Sequence, residues 1–280
     1  PKTSYCGYGF YHGFMEALLQ DGSELAKARE FCISVNQQFA QQANAWTPCL
    51  HGIGHGLTDA SDPTAWGNAK AMIKPGLTLC EKLGMDNYEK DLCASGVFNS
   101  LANFYRDSTY RLPLDKRDPL AICRQQEQSY FKAACYEEMN TLLMDITDGD
   151  FRQAARFIET MSERAYQERA IDSLATYAVH FLLSEDQYDD DVQICYALQS
   201  QLYAPCIAGL GAGFMEFGAP EEEYIQALAV CNNPAVNLEE RKACFSRVLW
   251  LTSLRYPPEK QISICASVNK PYRQYCPAES

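Results

Sequence analysis

The cysteines limit this chain more than any other feature. Thirteen occur, and from Cys32 onward they fall into successive pairs. Cys32 and Cys49 are 17 residues apart, Cys80 and Cys93 are 13 apart, and Cys123 and Cys135 are 12 apart. Cys195 and Cys206 differ by 11, Cys231 and Cys244 by 13, and Cys265 and Cys276 by 11. There is no CxxC cluster of the kind that holds zinc or an iron–sulfur centre. One bridge per helical hairpin, joining the end of one helix to the body of the next, explains the regularity. Connectivity does not follow from sequence alone, and reduced, buried cysteines are the alternative. Six bridges would require an oxidising compartment: periplasm, cell surface or extracellular space. Cys6 is left over, so its partner is expected upstream, with a free or intermolecular thiol as the alternative. The chain opens Pro1-Lys2-Thr3-Ser4 without an initiator Met or an apolar signal segment. It therefore reads as a mature form or an excised domain whose first hairpin is truncated.

Aligning the second cysteine of each pair exposes a repeat. Cys6 begins CGYGFYHGFME, Cys49 CLHGIGHGLTD, Cys93 CASGVFNSLAN, Cys135 CYEEMNTLLMD and Cys206 CIAGLGAGFME. In AIDSLATYAVH, Ala170 stands where the cysteine would be, which marks a repeat without a bridge. The first cysteines recur every 34 to 48 residues once that repeat is counted, the length of a helix–turn–helix unit. Apolar residues at helical spacing in Glu221–Cys231 and Leu238–Leu254 agree. So do breaks at Asp21-Gly22-Ser23, Pro113, Asp148-Gly149-Asp150 and Pro257-Pro258, with Ser23 and Asp150 as N-caps. The expected fold is all-α: a solenoid of about seven antiparallel hairpins, one disulfide per hairpin, in a single domain over residues 1–280.

Counting from the second cysteine gives three classes of position. Offsets of four and eight residues carry apolar side chains such as Ile53, Leu57, Val97, Leu101, Leu210 and Phe214, the expected core. In four repeats, offsets of three and seven carry glycine or serine: Gly9/Gly13, Gly52/Gly56, Gly96/Ser100 and Gly209/Gly213. Glycine costs a helix about 1 kcal/mol relative to alanine, so its recurrence points to helices in close approach. Offsets of two, six and ten share one helical face. They read Tyr8/His12/Glu16, His51/His55/Asp59, Ser95/Asn99/Asn103, Glu137/Thr141/Asp145, Asp172/Thr176/His180 and Ala208/Ala212/Glu216. This face holds almost no lysine or arginine, although the chain has 24 of them. Stacked side by side, the stripes form a polar groove lined by Tyr8, Asn99, Asn103, Asp145, His180 and Glu216. The bland reading is a solvated face.

All four histidines lie on this stripe. His51 and His55 are four residues apart, a spacing that lets two imidazoles share one ion. His12 occupies the position of His55 one repeat earlier, and Glu16 and Asp59 lie one turn further along. Three imidazoles and one or two carboxylates suit Zn²⁺, Cu²⁺ or Fe²⁺. Hydrogen bonding to carboxylates or an organic ligand are the competing readings. His180 belongs to a distant repeat, where Asp145 or Glu216 are the expected partners.

The formal net charge of -12 argues against a nucleic-acid partner, which needs a basic face. No stretch is apolar enough for a transmembrane segment. No nucleophile elbow, phosphate loop or dinucleotide fingerprint appears. HGIGH lacks the glutamate of the metalloprotease motif HExxH, because Gly52 stands in its place.

The stapled hairpins resemble Sel1-like repeat proteins, a tetratricopeptide-like architecture, and in particular their cysteine-rich secreted members. The cysteine spacing here is longer and more variable, and the CxxGxxxG helix departs from that pattern. The resemblance implies a right-handed superhelix that binds partners, with no catalytic residues to carry over. The primary expectation is an exported repeat protein with a polar groove and a histidine metal site near its N-terminal end. The alternatives are a metal-free scaffold for a protein or peptide partner, a surface-assembly component, and a metal-dependent hydrolase.

Overall fold

The computed structural model describes residues 13–15, 17–19, 25–39, 45–58, 62–82, 86–184, 192–219 and 221–276, and among these all regular structure is helical. The chain divides into two compact units, Pro1–Leu142 and Leu143–Ser280. The first contains α1 (Leu25–Phe39), α2 (Trp46–Leu57), α3 (Ala69–Lys82), α4 (Asn87–Arg106), α5 (Ala121–Arg124) and α6 (Ser129–Glu138). Helix α7 (Asn140–Ile146) runs across the division. The second contains α8 (Phe151–Glu159), α9 (Arg164–Ser184), α10 (Gln193–Tyr196), α11 (Tyr203–Phe217), α12 (Glu223–Asn232), α13 (Leu238–Arg255) and α14 (Pro258–Ser267). A 3-10 helix, Lys270–Tyr275, follows.

All six expected disulfides form: Cys32–Cys49, Cys80–Cys93, Cys123–Cys135, Cys195–Cys206, Cys231–Cys244 and Cys265–Cys276. The first five join consecutive helices. The sixth ties α14 to the residue after the 3-10 helix. The pair α8–α9 packs without a bridge, and Ala170 is fully buried at the cysteine-equivalent position. Cys6 lies outside the described residues.

The second helices of successive pairs lie against one another within each unit. Helix α4 packs between α2 and α6, and α11 between α9 and α13. Their glycines divide by direction. Three residues after the cysteine, a Cβ on Gly96 or Gly209 would collide with the preceding second helix, at the carbonyls of His51 and Asp172. Seven residues after it, Gly56 meets Met15 and Leu19, while Gly213 meets Thr176 and Val179. Five residues after it, Gly54 faces the following helix at Cys93 and Gly96, and Gly211 faces Val248. The offset-four and offset-eight side chains Ile53, Val97, Leu101, Leu210 and Phe214 are buried as expected.

Three polar contacts between neighbouring pairs fall at one recurrent place, the first turns of a second helix. Arg29 donates to Glu89 (3.3 Å), Tyr130 to Glu81 (2.6 Å) and Tyr196 to Glu240 (2.9 Å). Burial and the adjacent Glu240 carboxylate push the Tyr196 phenol up to about 12. Asp150 caps α8 as expected, accepting from the Gln153 backbone N–H (3.0 Å), after a stop formed by Asp148 and Gly149 at positive φ. Asp86 and Asn237 add full capping boxes with Glu89 and Glu240.

Candidate functional site

Helix α2 puts His51 and His55 one turn apart on the side that α4 covers. Their approach to α4 is close because Gly54 and Gly96 meet backbone to backbone. The two Nε2 atoms face each other at 3.1 Å. Each Nδ1 meets a serine of α4: His51 meets Ser95 at 2.6 Å, and His55 meets Ser100 at 2.8 Å. The Ser95 hydroxyl also donates to the Leu92 carbonyl at 2.8 Å. His55 is only 8% exposed, and Ser95 and Ser100 are buried with it.

A carboxylate stands behind this pair. Glu138 Oε1 lies 4.0 Å from His51 Nδ1, and its Oε2 accepts from Asn99 Nδ2 at 2.8 Å. The stripe continues outward with Asn103 donating to Asn99 (3.4 Å) and Arg106 donating to Asn103 (3.0 Å). Three successive second helices thus contribute to one polar network: His51 and His55 from α2, Ser95, Asn99 and Ser100 from α4, and Glu138 from α6.

The geometry fits an ion held by two imidazoles. Nitrogens bound to one tetrahedral zinc ion at about 2.0–2.1 Å each are about 3.3 Å apart, close to the observed separation. An Nδ1 anchored by a polar group is the usual support of a ligating histidine. The other expected donors, His12, Glu16 and Asp59, lie outside the described residues, as does Tyr8. Among the described residues no set of three or more His, Cys, Asp or Glu donors comes together.

In the second unit the stripe is covered by arginines. Arg247 of α13 reaches Asp172 of α9 at 3.2 Å and lies 5.1 Å over the Trp250 ring. Helix α11 packs between those two helices and carries Ala208 and Ala212 at its first two stripe positions, small side chains that a guanidinium can cross. Arg255 pairs with Glu216 and donates to the Met215 carbonyl. This qualifies two expectations. The stripe positions hold almost no arginine of their own, but in the second unit α13 supplies it from offsets of three and eleven residues. Glu216 is engaged by Arg255, while His180 sits among Tyr177, Phe181 and Phe217, with ring centroids 5.9, 5.7 and 5.4 Å away. Asp145 is exposed on α7.

Sequence reasoning missed Glu138, Ser100 and Arg247 as members of these networks. Glu137 was the residue expected on the stripe. The count from the cysteine groups Ser100 with the glycines, and its position agrees: it is small enough for the helix contact and polar enough to reach His55.

No helix among the described residues is long and apolar enough to cross a membrane. The six disulfides are of the kind that persist in oxidising compartments. Compared with known proteins, the chain matches no family model, no curated protein and no solved structure.

Proposed function

We infer that this is an exported helical-repeat protein of about seven hairpins that binds a transition-metal ion through Nε2 of His51 and His55. Zn²⁺, Cu²⁺ and Fe²⁺ all accept imidazole nitrogen. His12, Glu16 and Asp59 are the candidates for the remaining donors, on the sequence argument alone. The observation that carries this reading is the pair of Nε2 atoms converging at 3.1 Å while both Nδ1 atoms are held by buried serines. Without an ion the same two atoms share one hydrogen bond, which keeps both nitrogens directed at a single point. The disulfides support an extracellular, cell-surface or periplasmic location, and the Sel1-like architecture is part of the same proposal.

The test is elemental analysis of protein purified without chelator or a histidine tag, beside a His51→Ala/His55→Ala double variant. About one equivalent of zinc, copper or iron, absent from the folded variant, supports the site, since a closed site holds one ion. Protein free of metal that also fails to bind added Zn²⁺, Cu²⁺ or Fe²⁺ overturns it. A scaffold for a protein or peptide partner then becomes the better reading.

A further inference from the structure

The geometry assigns Ser95 and Ser100 as positioning residues that hold the two imidazoles in opposite tautomers. Ser100 alone must reverse its hydrogen bond when an ion enters. Only this last step rests on the metal reading.

A serine hydroxyl has one proton to give. That of Ser95 goes to the Leu92 carbonyl, so toward His51 Nδ1 it can only accept. His51 therefore carries its proton on Nδ1 and presents a lone pair at Nε2. The 3.1 Å contact between the Nε2 atoms then needs its proton from His55. That fixes neutral His55 in the Nε2–H form, with a lone pair at Nδ1. Ser100 completes the chain by donating to that lone pair at 2.8 Å. Both serines come from α4, five residues apart, and reach two histidines one turn apart on α2.

The two serines differ in freedom. Ser95 is locked by Leu92 and already holds His51 in the form a metal ligand requires. Ser100 is not tied to a carbonyl of its own helix. For His55 to present a lone pair at Nε2, its proton must sit on Nδ1, and the Ser100 hydroxyl must turn from donor to acceptor. No proton leaves the site in this rearrangement: it passes from Nε2 to Nδ1 of one ring.

Long-range nitrogen–proton spectra of protein with isotope-labelled histidine, at mildly alkaline pH, read each tautomer directly. Metal-free protein should show His51 as Nδ1–H and His55 as Nε2–H. Addition of Zn²⁺ should leave His51 unchanged and convert His55 to Nδ1–H. Ser95→Ala should erase the preference of His51 and weaken zinc binding about 10- to 100-fold, the usual cost of losing such a support. Ser100→Ala should weaken the preference of His55, which the contact with His51 then holds alone, and Ser100→Thr, which keeps a hydroxyl, should restore it. Metal-free His51 protonated on Nε2, or unaltered spectra in the alanine variants, would overturn the assignment. If the metal-free spectra hold but zinc does not bind, the positioning role of both serines stands and the metal reading falls. The wild-type spectrum decides the tautomers even where a variant fails to fold.

Discussion

Glu138 stands behind His51 on the Nδ1 side, where it cannot touch an ion held at Nε2 but can act on one. A carboxylate near the back of an imidazole makes the ring a better donor. At 4.0 Å it does so through space rather than through a hydrogen bond. Glu138→Gln removes the charge while leaving an oxygen for Asn99. Zinc affinity in a chelator competition should fall, by less than about tenfold because direct partners are worth 10- to 100-fold. Unchanged affinity would make Glu138 a bystander. A second residue-scale test concerns Asp150. Hydrogen bonds from the Gln153 backbone and side chain hold its carboxyl below the usual carboxylate range. A depressed folded pKa stabilises above the unfolded value and is lost as pH falls through the folded one. Asn caps a helix about as well as Asp but does not titrate. Wild type and Asp150→Asn should therefore keep a constant difference in unfolding free energy above about pH 5. Below about pH 4 the wild type should lose ground to the variant. A difference that stays flat through acid would show that the cap is not linked to the proton.

At the scale of elements, the contact between α2 and α4 is built on missing side chains. Alanine in place of Gly54 would favour the isolated helix by about 1 kcal/mol. In the fold its Cβ would run into the Cys93 carbonyl and the backbone of Gly96. Backbone cannot step aside as a side-chain tip can, and overpacking of this kind costs about 1–3 kcal/mol or more. Gly54→Ala should therefore lower the urea midpoint and loosen the His51–Ser95 and His55–Ser100 bonds, which depend on that spacing. A raised midpoint would mean that the close approach contributes nothing. This contact also marks how far the sequence could be read. Cysteine spacing, apolar offsets and the Asp150 stop are local or periodic signals, and each has its counterpart in the structure. The +3 and +7 glycines were legible as packing positions, whereas the opposite direction of Gly54 and Gly211 follows only from seeing both neighbours of a helix. Glu138 escaped because it lies at offset three from Cys135, where glycine in other repeats marks a packing position, although α6 is continuous from Cys135 to Glu138. Arg247 and Arg255 escaped because long side chains deliver their charge away from their own position.

At the scale of the molecule, the distribution of bridges ties stability to location. Each unit holds three disulfides, and each closes a loop of only 11 to 17 residues. Loops of this size restrict the unfolded chain by about 3 kcal/mol apiece in the loop-entropy account. Bridges in separate helix pairs share no atoms, so their contributions should nearly add. Three of them approach about 9 kcal/mol for a unit, within the range of about 5–15 kcal/mol that a native domain has in all. The consequence is a unit whose helices are well packed yet whose fold depends on oxidation. Treatment with a phosphine reductant and alkylation should lower the thermal transition by more than about 20 °C, at the few degrees per kcal/mol expected for domains of this length. Far-ultraviolet dichroism should follow the loss of helix, and reoxidation should recover it. Cys231→Ala/Cys244→Ala, which opens one bridge, should remove about a third of that shift from the second unit. A reduced chain that melts within a few degrees of the oxidised one would show that packing alone sustains the helices. The pairing of cysteines would then lose its force as evidence for an exported protein, even with every disulfide correctly placed.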